Sequence, residues 1–191
     1  MNLYQHILDE SIQIRETLKN DLETQQSFAR IVEDVEHCFR NGGKLLLCGN
    51  GGSAGDAQHI AAELSGRFVL DREPLFAEAL HVNSSYLTAV ANDYGYDEVY
   101  ARMVRAMGRD GDVLIGFSTS GNSKNVVKAL EAARARNMTT IAFLGEKPGN
   151  MGPLAHHKLC IPSSNTARIQ ELHITFGHML CQEVEQRIFG Q

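Results

Sequence analysis

His59 and Glu63 stand four residues apart in a stretch, 54 to 66, whose apolar spacing predicts a helix. That interval sets an imidazole and a carboxylate about 40° apart on one helical face, a turn from each other. Such a pair can ligate a metal ion or move a proton, and it is also a common arrangement on plain helix surfaces. The flanking Ile60, Ala61, Ala62 and Leu64 suggest a helix buried on much of its circumference, and a buried charged pair needs a purpose or partners. The last helical stretch, 166 to 188, offers some: Gln170, Glu171, His173 and His178 lie among Ile169, Leu172, Ile174, Phe176, Met179 and Leu180. His173 reads most simply as a core histidine. Gln170 and His178 are eight residues apart, a rise of about 12 Å on an ideal helix. Both reach one ion only if the helix is irregular or the ligands come from neighbouring subunits.

Two glycine- and serine-rich turns supply a different chemistry. CGNGGS (48–53) follows the apolar run KLLLC, and STSGNS (118–123) follows DVLIGF and precedes the helical stretch NVVKALEAARARN. A strand-to-helix turn that ends on free helix N–H groups suits a phosphate, and the hydroxyls of Ser118, Thr119, Ser120 and Ser123 add donors. Glycine and serine also cap helices with no ligand at all, so one such turn says little; two on one sheet point to a phosphorylated or polyhydroxy ligand. Neither turn has the GK[ST] of a nucleotide-binding P-loop. Gly49-x-Gly51-x-x-Ala54 lacks the downstream acid of a dinucleotide site. GFSTSG does not satisfy the nucleophile elbow G-x-S-x-G.

The elements that must position these residues alternate. Short apolar runs at 44–48, 75–80, 112–117, 139–145 and 157–162 are separated by helical patterns at 54–66, 84–91, 96–108 and 123–137, and 166–188 closes the chain. Near-continuous apolar strands alternating with helices predict a parallel sheet covered on both faces, an α/β three-layer sandwich. Ligands of such sheets bind beyond the carboxyl ends of the strands. Residues 1–40 read as a helical pair ahead of an α/β core at 44–191, surplus to the sandwich, and suggest either an oligomer contact or packing on the same sheet.

The 191 residues fit one domain with a sizeable core. A net charge of -5 argues against nucleic-acid binding. No apolar run reaches the ~18 residues of a membrane span, and MNLYQHILDESIQIR carries acids where a signal peptide needs an apolar core. The expectation is a soluble, cytoplasmic protein with no membrane partner. Cys38, Cys48, Cys160 and Cys181 form no CxxC and read as free buried thiols.

Four segments together, CGNGGSAGDAQHIAAELSGRF, AVANDYGYDEVYARMV, GDVLIGFSTSGNSKNVVKALEAAR and RIQELHITFGHML, resemble the sugar isomerase (SIS) domain family over essentially the whole chain. STSGNS alone is typical of the fold. The combination of GNGGS, HxxxE, ND and RIQE with its later histidines is similar to a narrower branch, the aldose–ketose isomerases of heptose phosphates. The resemblance implies one SIS domain over 1–191, a flavodoxin-like five-stranded parallel sheet, N-terminal helices in oligomer contacts, and a cytoplasmic homotetramer with active sites at subunit junctions. It implies Zn2+ held by His59, Glu63, Gln170 and His178. It places substrate at Asn50, Gly51, Gly52, Ser53, Glu63, Asn92, Asp93, Ser118, Thr119, Ser120, Ser123 and Gln170, with Arg67 nearby.

The activity implied is conversion of sedoheptulose 7-phosphate to D-glycero-D-manno-heptose 7-phosphate, which opens bacterial heptose synthesis for lipopolysaccharide and other surface glycans. Moving a proton between C1 and C2 needs a base at carbon and an acid for the oxygens, and Glu63 and His178 are the catalytic candidates. Asp93 is expected at the sugar hydroxyls or at ring opening. A zinc-bound carboxylate is a poorer base, so either Glu63 leaves the metal or the metal is structural. Two alternatives stay open: an SIS isomerase for another phosphosugar, and a non-catalytic binding protein of the type that partners a replication initiator. Relatives of the second type lack the glutamate and the final histidine, both present here.

Overall fold

The computed structural model describes residues 2–190. Two helices come first, α1 (Leu3–Asn20) and α2 (Leu22–Arg40), divided at Asp21, whose carboxylate caps α2 by accepting the Glu23 N–H. Then β1 (Leu45–Cys48), α3 (Gly52–Ser65), β2 (Ala77–Ala79), α4 (Ser84–Tyr94), α5 (Val99–Met107), β3 (Val113–Ser118), α6 (Lys124–Arg134), β4 (Thr139–Leu144), β5 (His157–Cys160) and α7 (Thr166–Phe189) follow. The strands form one sheet in the order β2-β1-β3-β4-β5, all parallel. This is the expected five-stranded α/β sandwich with flavodoxin-like strand order.

Alternation along the strands separates two cores. Leu45, Leu47, Val113, Ile115, Phe117, Ile141 and Phe143 face α2, α3 and α7. Leu46, Cys48, Leu114, Ala142 and Leu144 face α5 and α6. β1 and β3 are buried throughout, which is why their sequences are apolar without alternation. The helix expected over 96–108 divides into a 3-10 turn, Tyr96–Glu98, and α5, and Gly95, at φ 89°, separates that turn from α4. All four cysteines are free, with Cys160 half-buried and the others buried.

The first two helices differ in how they pack. α2 packs on the sheet through Phe28, Ile31, Val32 and Val35. α1 buries only Ile14 and Leu18 and leaves Leu3, Tyr4, Ile7, Leu8 and Ile12 exposed. It is fastened to α7 by polar contacts: Arg168 Nη1 donates to the Ile7 carbonyl at 3.1 Å and Ser11 Oγ to Glu171 at 3.2 Å.

Two features fix α3 against α7. Gly177 lets the helices close, since a Cβ there would lie 2.4 Å from Ile60 Cδ1. At the carboxyl end of α3, Arg72 donates to the carbonyls of Glu63 (3.1 Å) and Leu64 (2.8 Å) while its Nε pairs with the buried Glu185 of α7 at 3.0 Å. Glu185 also accepts the N–H groups of Val69 and Leu70 at 2.9 and 3.0 Å. A buried carboxylate so fully satisfied holds the α3 end and the loop carrying Arg67 in one place.

Candidate active site

β1 and β3 are neighbours, and the chain leaves them for opposite faces of the sheet: α3 packs in one core and α6 in the other. The crevice between diverging turns at this switch point is where open α/β sheets bind ligands. Both glycine- and serine-rich turns lie there.

The serine turn is built around its hydroxyls. Ser118 Oγ lies 2.9 Å from Ser123 Oγ and 3.3 Å from Ser120 Oγ, and Ser120 Oγ accepts the Asn122 N–H at 3.2 Å. Ser123 is the N-cap of α6, yet its hydroxyl turns to Ser118 and makes no capping bond, leaving the Lys124 and Asn125 N–H groups to an external acceptor. Gly121 allows the turn twice over: its φ is +66°, and a Cβ would meet the Pro148 carbonyl oxygen at 2.4 Å. Thr119 is half-buried beside these serines.

The first turn carries Asn50, Gly51 and Gly52 on the surface or half-buried, with Ser53 buried beneath. Gln170 on α7 reaches this turn, its Nε2 donating to Ser53 Oγ at 3.5 Å. Asn50 meets Tyr96, whose hydroxyl donates to its Oδ1 at 3.3 Å. Asn92 and Asp93, joined by a 2.9 Å bond from Asn92 Nδ2 to Asp93 Oδ1, are exposed on the last turn of α4, just before the Gly95 turn that delivers Tyr96. Arg67 is exposed in the loop after α3.

His59, Glu63 and His178 form a cluster where α3 and α7 run side by side. His59 Nε2 lies 3.1 Å from Glu63 Oε1 and 3.3 Å from His178 Nε2, and one ligand atom from each residue falls within 4.8 Å of the others. Atoms bound at about 2.1 Å to a tetrahedral zinc stand about 3.4 Å apart, so two imidazoles and a carboxylate at this spacing fit the metal. Phe68 stacks on the His178 ring with centroids 5.9 Å apart. Gln170 is not brought to the cluster within one chain: α7 is unbroken from Thr166 to Phe189, and Gln170 sits with Ser53 at the opposite end of α3.

His173 is a core histidine as expected. It is fully buried between Phe117 and Phe143, and its Nε2–H donates to the Leu144 carbonyl at 3.1 Å. Burial pushes its pKa down to about 4, against a smaller raising effect of that bond. Asp56, one turn before His59, was not picked out by spacing. One of its carboxylate oxygens is buried without a hydrogen-bond partner, and burial raises its pKa to about 6, with His59 opposing. No periodicity marks such a residue, because its environment is made by packing rather than by chain neighbours.

A family model described as SIS domain matches residues 8–145. The chain belongs to this family, and its five-stranded parallel sheet flanked by helices is the fold of that family. It is 50% identical over 186 residues to a phosphoheptose isomerase of Roseiflexus sp. (strain RS-1), covering 97% of this chain and 94% of that one. A Helicobacter pylori (strain P12) phosphoheptose isomerase is 51% identical over 173 residues, 90% of each. The structure of phosphoheptose isomerase from Neisseria gonorrhoeae superposes with a TM-score of 0.89 at 41% identity, covering 97% of this chain and all of that one. Within the SIS domain family, the chain groups with the phosphoheptose isomerases, which are enzymes.

Proposed function

We propose that this protein interconverts sedoheptulose 7-phosphate and D-glycero-D-manno-heptose 7-phosphate by proton transfer between C1 and C2, the step that opens heptose synthesis for surface glycans. The observation that carries the reading is the cluster of Glu63, His59 and His178 in a chain about half identical to phosphoheptose isomerases. Relatives that only bind sugars have no need of a carboxylate and two imidazoles within one contact distance.

In this reading the serine turn binds the phosphate, through its hydroxyls and the N-terminus of α6, at the end of the substrate remote from the chemistry. Binding there orients the open chain. Asn50, Gly51, Gly52 and Ser53 form the floor beneath the sugar, and Asn92 and Asp93 meet hydroxyls at its edge, with Arg67 near the rim. Glu63 takes the proton from carbon and returns it to the neighbouring carbon. His178 exchanges the proton of the oxygens. Positioned groups of this kind contribute about 10²–10⁴-fold each.

A zinc ion suits the donor set of His59, Glu63 and His178, with Gln170 as the fourth ligand, and when bound it would supply Lewis-acid polarisation of the sugar oxygens. Gln170 lies far along α7 from His178, so the fourth ligand is assigned to a second copy of the chain. The exposed apolar stripe of α1, Leu3, Tyr4, Ile7, Leu8 and Ile12, gives that copy a surface to bury. A homotetramer of single SIS domains spanning 1–191, with junctional active sites and a cytoplasmic setting, follows from the same reading; no helix among the described residues is long and apolar enough to cross a membrane.

The test is sedoheptulose 7-phosphate in D2O followed by NMR, wild type beside Glu63→Gln. The wild type should form the aldose and incorporate deuterium at C2; the variant should lose at least about 10²-fold in exchange. A wild type that forms neither product sinks the reading.

A further inference from the structure

The two turns of the crevice are joined by a pair of side-chain amides. Asn125, buried at 3% exposure, lies in the first turn of α6, just beyond the serine turn. Its Oδ1 accepts the Val126 N–H at 3.0 Å and Asn50 Nδ2 at 2.9 Å, and its Nδ2 donates to Asn50 Oδ1 at 2.8 Å. The Val126 N–H decides which end of the Asn125 amide is oxygen, since a donor must face an acceptor. Reciprocity then orients Asn50. The Tyr96 hydroxyl takes the second lone pair of Asn50 Oδ1. The oxygen is saturated, and a single N–H of Asn50 remains for a ligand.

We propose that Asn125 is a positioning residue that locks the GNGGS turn to the STSGNS turn and makes Asn50 a donor-only contact for the sugar. The strand register gives this lock its purpose. β1 and β3 pair up to Cys48 and Gly116; beyond that, the turns part to opposite faces. The amide bridge spans a sequence separation of 75 residues at the point where the ladder stops. Because both amides are neutral, the bridge adds no charge beside the phosphate, as a carboxylate or ammonium would. A ligand that spans both turns depends on their relative placement, whereas a bare phosphate engages the serine turn alone. The inference rests on the phosphosugar reading of the crevice.

The experiment measures binding, by calorimetry, of sedoheptulose 7-phosphate and of inorganic phosphate to the full-length protein and to Asn125→Ala and Asn125→Leu. Leucine keeps the branched shape of asparagine without its hydrogen bonds and leaves no cavity, so the pair of variants separates positioning from loss of packing. Both variants should bind the sugar phosphate about tenfold more weakly while affinity for inorganic phosphate stays within about twofold. Sugar-phosphate affinity unchanged in either variant overturns the proposal. So does a parallel loss for both ligands, which means general damage to the serine turn. If the wild type itself holds inorganic phosphate but not sedoheptulose 7-phosphate, the substrate reading fails and the proposal goes with it. Sound wild-type binding with an unaltered ratio in the variants overturns the proposal alone.

Discussion

Gly177 of α7 faces Ile60 of α3 across a gap with no space for a methyl group, a Cβ at position 177 falling 2.4 Å from Ile60 Cδ1 and 2.7 Å from its Cγ1. The adjoining residues of the same two helices, His59 and His178, are the ones whose Nε2 atoms stand 3.3 Å apart. Close approach and the cluster belong to one contact: a residue larger than glycine has to displace the Ile60 side chain or part the helices that hold the imidazoles.

Gly177→Ala therefore opposes two effects. Alanine favours the helix by about 1 kcal/mol, and overpacking costs about 1–3 kcal/mol. Thermal melts should show a modest net loss of stability, and turnover at a temperature where the variant remains folded should fall by far more than the folded fraction does. Activity that tracks the folded fraction alone would show that the helix spacing does not set the chemistry.

At Gly121 both the positive φ and the Pro148 carbonyl oppose a side chain. Gly121→Ala should destabilise the protein by about 1–3 kcal/mol, read by urea denaturation, and should abolish the thermal protection given by inorganic phosphate. The second readout distinguishes a misshapen serine turn from a merely weaker fold.

On the proposed zinc reading, chelation of the purified protein should remove bound metal and isomerase activity together, and stoichiometric Zn2+ should restore both. His59→Ala should purify without zinc by elemental analysis while keeping the wild-type circular dichroism spectrum, since His59 is exposed. Full activity in verified metal-free protein would leave the cluster to acid–base work alone.

His173 gives the acid limb a specific origin. Burial holds its pKa down to about 4, below the ordinary 6.5, so the folded protein binds fewer protons than the unfolded chain in this interval. The contribution of His173 to stability should be fully present above pH 6.5 and decline as the pH falls towards 4, by on the order of 3 kcal/mol in all. His173→Gln can keep a donor to the Leu144 carbonyl but does not titrate. Its stability should be lower than wild type at pH 7 and flatter between pH 6.5 and 4 by chemical denaturation. A wild-type slope retained in the variant would assign the acid sensitivity elsewhere.

Strand and helix placement is legible in the sequence because it depends on local pattern: continuous apolar runs for β1 and β3, glycine- and serine-rich turns after them, and helical periodicity over α3 and α7. The His59–Glu63 pair and the core position of His173 were legible for the same reason. Gly177 left one trace, an isolated glycine inside a helical pattern, which carries no indication of its partner. Asn125 left less: an asparagine just past a serine turn reads as a helix start, and its pairing with Asn50 joins residues 75 apart.

An α/β sandwich, two turns suited to a phosphate, and the residue types for proton transfer or zinc all follow from local patterns along the chain. Tertiary structure decided which of those residues meet. It put His178 beside His59 and seated Gln170 with Ser53 instead, because α7 is an unbroken helix whose rise separates positions 170 and 178. Spacing along a chain fixes what one element presents on one face; which face meets which is fixed by strand order and by how closely two backbones can pack.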